Sequence, residues 1–126
     1  QRLVRRLCLD CREPYRPTSQ ERERLFGAYG IEEAAEVGMT WDSDAPLYRG
    51  RGCASCRGTG YRGRLAIHEL LVSSDTIKDM IYRRDRMADV LREAKKGGMT
   101  TLVQDGVRKI LAGLTDLSTV TLAASN

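Results

Sequence analysis

Aromatic residues are scarce in this sequence: five tyrosines, one tryptophan and one phenylalanine are all that 126 residues offer to a core. A core so light makes some added staple an expected feature. Long apolar runs are also missing, and those present are a few residues each, far short of a membrane span. No signal peptide is recognisable at Gln1 and no methionine precedes it, so the chain reads as a piece of a larger protein. There is no nucleophile paired with a base, no phosphate-binding loop with its lysine, and no carboxylate pair in an evident cleft. No low-complexity tract or long repeat is present. With 41% hydrophobic and 30% charged residues, the chain has the composition of one globular domain or of two small ones that each need help to stay folded.

What the sequence does contain is four cysteines in two identical spacings, Cys8-Leu-Asp-Cys11 and Cys53-Ala-Ser-Cys56. A C-x-x-C turn places two sulfurs at two corners of a tetrahedron, and two such turns complete it. The linker of about forty residues is no obstacle, because loop-closure cost grows slowly with length. Cys8, Cys11, Cys53 and Cys56 are therefore the candidate ligands of one structural zinc ion. Two disulfides, free thiols and an iron-sulfur centre are the alternatives. Four protein ligands leave no open position for catalysis by the metal.

The net charge of +4 would suggest nucleic acid or an anionic membrane, but the arginines crowd around the cysteines: Arg2, Arg5, Arg6 and Arg12 at the first pair, Arg49, Arg51, Arg57, Arg62 and Arg64 at the second. A zinc tetrathiolate carries two negative charges and brings the net charge to about +2. No stacking aromatics are interleaved with these arginines, so nucleic acid is not the expected partner. A zinc-dependent nucleic-acid-binding module remains the alternative reading, and contact of the basic face with anionic lipid is a further one.

In "CASCRGTGYRG", Gly58 and Gly60 are suited to positive φ, which lets backbone N–H groups fold back toward the sulfurs. The C-x-x-C-x-G-x-G unit is similar to the repeat of the zinc domain of DnaJ-type chaperones, but that family uses four units and "CLDCREPY" does not match. The run from Tyr61 to Val72 reads as a strand, paired in a hairpin with "PLYRGRG". His68, beside a complete ligand set, is expected to be a packed or hydrogen-bonding side chain and is assigned no chemistry.

The opening "QRLVRRLC" reads as the end of an amphipathic helix. Thr18 with Glu21 opens a helix in "SQERERLFGAYG", and the acidic stretch from Ile31 to Pro46, with Trp41, reads as a loop or short extended segment. Beyond residue 74, Ile77, Met80 and Ile81, then Met87, Val90, Leu91 and Ala94, then Val103, Val107, Ile110 and Leu111 mark three amphipathic helices. Ser74 and Asp85 are the expected N-caps, Thr101 with Gln104 a capping box, Gly97-Gly98 and Gly113 the stops, and Thr115 the cap of a last short helix. The fold class is α+β: a small zinc-stapled subdomain with a β-hairpin, followed by a compact helical subdomain.

Three segments, "QRLVRRLCLDC", "GCASCRGTGYRGRLAIHELL" and "GGMTTLVQDGVRKILAGLTDLSTV", resemble in content and order the C-terminal region of the type II secretion and type IV pilus assembly ATPases, the GspE/PilB-type traffic ATPases. The match is weakest from Arg12 to Leu47, and Ala66 stands where that pattern often has a second glycine. The resemblance implies a cytoplasmic hexameric motor, peripheral at the bacterial inner membrane, whose ATP and Mg2+ bind in an upstream core absent from these residues. Residues 1–7 would be the tail of that core, 8–72 the zinc-binding subdomain and 73–126 the helical subdomain. The implied partner is the inner-membrane platform protein. The fragment itself is expected to be monomeric and not active as an ATP hydrolase alone.

Overall fold

The computed structural model describes residues 1–39 and 44–125. Ten elements follow in order: β1 (Arg2–Leu7), β2 (Arg12–Tyr15), α1 (Ser19–Tyr29), α2 (Ile31–Glu36), β3 (Leu47–Gly50), β4 (Tyr61–Ile67), α3 (Asp75–Tyr82), α4 (Met87–Lys96), α5 (Leu102–Leu111) and α6 (Leu117–Ala124). The class is α+β, as the sequence suggests. Trp41, expected in a loop, lies outside the described residues, and Ile31–Glu36, expected in the same loop, is helical.

The strand pairing departs from the expected hairpin. β3 and β4 flank the second C-x-x-C turn but do not pair with each other. β4 pairs antiparallel with β1, and β3 with β2. Each two-stranded ribbon thus takes one arm from each cysteine turn, a non-local exchange that local turn chemistry does not reveal. The opening "RLVRRL" is a strand, not a helix end. Val4 and Leu7, three apart, mimic a helical stripe, but a register irregularity between Arg5 and Leu7 allows both to be buried. The irregularity sets two β4 residues, Arg62 and Gly63, against Arg6 alone, and Gly63 takes φ +80° there. The β4 strand ends at Ile67, five residues earlier than expected.

Two compact backbone units are present: residues 1–68 with 102–126, and residues 69–101. The first has its core in Val4, Leu25, Phe26, Tyr29, Leu47, Ile67, Val107, Ile110 and Val120. The α5 and α6 helices belong to this unit, although they follow residue 73 in sequence. Thr115, expected to cap α6, instead donates its hydroxyl to the Arg5 carbonyl at 2.9 Å and is fully buried. The cap is Asp116, whose Oδ1 accepts from the Thr119 N–H at 2.9 Å. Arg12 reaches the Gly113 carbonyl, at the end of α5, at 2.6 Å. Gln104 donates its amide to the Tyr29 carbonyl and to Glu33, joining α5 to the end of α1.

The second unit is a helical hairpin, α3 and α4, around Ile77, Met80 and Ala94 with Val90 and Met99. Ser74 caps α3 as expected, accepting from the Ile77 N–H. Asp85 does not cap α4. Arg86 holds that position without a side-chain bond, and Asp85 pairs with Arg83 at 2.9 Å. The reason is how α3 ends: Arg84 takes φ +59°, its N–H meets the Ile81 carbonyl, and the Asp85 N–H meets the Met80 carbonyl. This is the double bond of a Schellman stop, and α2, α4 and α5 end the same way at Gly38, Gly98 and Gly113. Ile81 and Met87, expected on core stripes, are 54% and 80% exposed.

Asp116 also accepts from the Tyr61 hydroxyl, tying α6 to β4. Burial opposes its charge, but bonds from Thr119, Tyr61 and Ser118 outweigh it and hold the carboxyl below its ordinary value of 3.8. A depressed carboxylate contributes stability that is present above the unfolded pKa and is lost as pH falls through the folded one. The Asp116→Asn change keeps the cap and removes the titration. It is therefore expected to flatten the fall of the thermal midpoint below pH 3.8. An unchanged slope in thermal melts across that range would count against this assignment.

Candidate metal centre

The two cysteine turns lie side by side because their arms are interleaved. The Cys8 N–H donates to the Gly60 carbonyl at 2.9 Å, and the Arg51 N–H to the Cys11 carbonyl at 3.2 Å. Gly50 and Gly60 face each other so closely that a Cβ on Gly60 would stand 2.6 Å from the Gly50 carbonyl oxygen. The result is that Cys8, Cys11, Cys53 and Cys56 bring all four Sγ atoms within 4.8 Å of one another. The pairs Cys8–Cys53, Cys11–Cys56 and Cys53–Cys56 are each 3.8 Å apart. Sulfurs at the corners of a regular tetrahedron around an ion with Zn–S bonds of about 2.3 Å are separated by about 3.8 Å. The donor set therefore fits zinc in both spacing and softness. Four sulfurs converging on one point is what a single ion needs and what two separate disulfides do not.

Backbone N–H groups point at the sulfurs, as the glycine pattern suggests. Gly60 and Cys53 donate to Cys56 Sγ, both at 3.2 Å, and Gly52 donates to Cys11 Sγ at 3.3 Å. Gly58 and Gly60 have φ of +78° and +81°. These bonds favour thiolates. At Cys56 burial works against the charge, but the N–H groups of Cys53 and Gly60, with the Cys11 and Cys53 thiols, bring its pKa down to about 6. At Cys11 burial dominates, opposed by the Gly52 N–H, and pushes the thiol up to about 12.

The surrounding arginines are less uniform than their crowding suggests. Arg51, Arg57 and Arg62 are exposed, and Arg62 lies 3.7 Å from Asp10 inside the first turn. Arg5 instead stacks on the Tyr61 ring at 3.9 Å, Arg12 serves Gly113, and Arg49 lies over Tyr15 at 4.9 Å. His68 is exposed, and its backbone N–H donates to Asp105 Oδ2 at 2.8 Å, beside Lys109. Gly50 and Gly52 are the positions that sequence reasoning missed. Their signal was the "GRGC" run before the second turn, which mirrors the "CRGTG" after it.

An α+β chain in which two C-x-x-C turns converge through exchanged strands defines a tetracysteine module whose four sulfurs could hold one metal ion. The chain belongs to the family of type II/IV secretion system proteins, whose family model matches residues 1–122. It is 42% identical over 120 residues to the type IV pilus assembly ATPase PilB of Thermus thermophilus, covering 95% of this chain and 12% of that protein. Type II secretion system protein E of Pseudomonas aeruginosa is 38% identical over 120 residues, with 95% and 21% covered, and the type II secretion system ATPase E of Vibrio cholerae is 34% identical with the same shares. The chain thus spans about an eighth to a fifth of the length of these relatives. Among the described residues, no helix is long and apolar enough to cross a membrane.

Proposed function

We propose that this chain is the C-terminal part of a bacterial secretion or pilus assembly motor ATPase, a zinc-stabilised module that couples ATP hydrolysis to the inner-membrane platform protein. The observation that carries this reading is the convergence of Cys8, Cys11, Cys53 and Cys56. Zinc held there would supply folding energy and rigidity and no reaction step, since all four positions are taken by protein. By order along the chain, residues 1–7 are read as the tail of the ATPase core, 8–72 as the zinc-binding subdomain and 73–126 as the helical subdomain, although β1, α5 and α6 pack with the cysteine turns in one compact unit. ATP and Mg2+ would belong to the core, which also supplies the ring contacts of a hexamer, so the fragment alone would be monomeric. The motor would work in the cytoplasm, at the inner membrane.

A stiff knuckle clamping two passages of chain is suited to carry a rotation of the core to a partner surface. In the full-length motor, Cys53→Ser with Cys56→Ser is expected to lower partner-stimulated hydrolysis and assembly by about tenfold or more, the scale on which disturbing the surroundings of a metal acts. Retention of both activities in the double variant would refute the coupling role.

A further inference from the structure

The four sulfurs of the cysteine cluster are not equivalent. Cys8 is fully buried and Cys11 and Cys56 nearly so, whereas Cys53 is partly exposed. The two residues that follow it, Ala54 and Ser55, are small and exposed, so the turn itself puts no bulky side chain over Cys53. Hydrogen bonding separates the sulfurs further. The Gly52 N–H donates to Cys11 Sγ, and the Cys53 and Gly60 N–H groups donate to Cys56 Sγ. Among the described residues no backbone N–H donates to the sulfur of Cys53, whose contacts are with the sulfurs of Cys8 and Cys56. N–H bonds stabilise a thiolate and lower the nucleophilicity with which it attacks. Cys53 thus combines access from solvent with freedom from that restraint. Cys56, 3.8 Å away in the same turn, is shielded and held in place by two N–H groups.

We propose that Cys53 is the oxidation site of this centre: a peroxide converts Cys53 and Cys56 to a disulfide, and with two of its four ligands gone the metal leaves. The inference rests on the reading of the cluster as a zinc centre. The Cys53 sulfur attacks one oxygen of hydrogen peroxide, the O–O bond breaks, and the departing hydroxide takes a proton to become water. The Cys56 thiolate then attacks the sulfur of the resulting sulfenic acid and displaces its hydroxide, which becomes a second water. Two thiolates, one peroxide and two protons give one disulfide and two waters, and the two electrons lost by sulfur reduce the peroxide. A dithiol reverses the change by exchange, itself becoming a disulfide.

Cys8 Sγ is equally near Cys53 but belongs to the other turn. Closing that pair from 3.8 Å to about 2.05 Å would press together backbones that already touch at Gly50 and Gly60. Closing Cys53 on Cys56 moves the second turn alone.

The test uses the metal-loaded full-length protein, so that any part of it lying over the second turn is in place. Zinc is assayed first. Equimolar hydrogen peroxide is then added, released zinc is read with a chromogenic chelator, and peptides are mapped by mass spectrometry, with dimedone to trap sulfenic acid and without it to collect disulfides. The expected result is a dimedone adduct at Cys53, one zinc released for each Cys53–Cys56 disulfide, and recovery of zinc binding after dithiothreitol. Cys53→His keeps a ligand set of a kind that structural zinc accepts and removes the reactive sulfur, so this variant should keep its zinc under the same peroxide. Should it fail to hold zinc at all, the peptide map of the parent decides. A protein without zinc before peroxide would refute the metal reading and this proposal together. A zinc-loaded protein that keeps its metal under peroxide, a first adduct at Cys8, Cys11 or Cys56, a disulfide between Cys8 and Cys53, or a zinc-loaded Cys53→His variant that loses metal as fast as the parent would overturn this proposal alone.

Discussion

Replacing Gly50 by alanine is expected to destabilise the chain by at least about 3 kcal/mol, the upper end for overpacking. A Cβ at Gly50 would collide with the Gly60 carbonyl oxygen and stand 2.6 Å from that residue's C and Cα, all backbone atoms with no rotamer to turn away. Alanine's lower unfolded-chain entropy works in the opposite direction by about 1 kcal/mol, so the clash decides the sign. Relief requires moving the two cysteine turns apart, which opens the sulfur tetrahedron. The same change should therefore lower metal occupancy. Gly58→Ala is the control: φ there is +78° with open space around a Cβ, so only left-handed strain of about 1–2 kcal/mol applies. Denaturant melts and metal analysis of both variants decide the point. A Gly50→Ala chain as stable as Gly58→Ala would mean that the backbone approach is not a constraint.

Cys8→Ser is expected to cost more than the roughly 10–100-fold in metal affinity typical of losing an outer-shell partner, because a serine hydroxyl does not stand in for a thiolate. Cys8 is fully buried, so its loss cannot be made good by a thiol from solvent. The parent chain should carry one zinc, and a chelator should release it while exposing all four thiols together. The serine variant should be purified with little or no metal and melt without a cooperative transition in the unit formed by residues 1–68 and 102–126. A variant that keeps one zinc per chain at the parent's midpoint would show that Cys8 is not a ligand.

The cysteine set was legible because C-x-x-C spacing is local chemistry, and so were Gly58, Gly60, the Thr18–Glu21 box and the Gly113 stop. What failed were choices that neighbouring residues do not make. β1 read as helical because Val4 and Leu7 are three apart, and only its pairing with β4, in which Val4 faces Leu65 and Leu7 faces Tyr61, explains their burial. The hairpin expected around the second turn gave way to pairing with arms of the first. Asp85 and Thr115 had suitable chemistry for caps, but Asp85 was taken by the end of α3 and Thr115 by the Arg5 carbonyl.

The interleaved strands bear on the order of events during synthesis. At roughly 5–20 residues per second, all four cysteines and β4 are synthesised some seconds before α5 and α6. The residue that seals the Arg5 carbonyl, Thr115, is made 110 positions after its partner. Val107, Ile110 and Val120 of the core arrive equally late. In those seconds the growing chain has both cysteine turns and the strands of both ribbons but lacks the helices that complete the hydrophobic core. A zinc ion captured then would clip the two cysteine turns together, and with them the strands on either side, before any large apolar surface is buried.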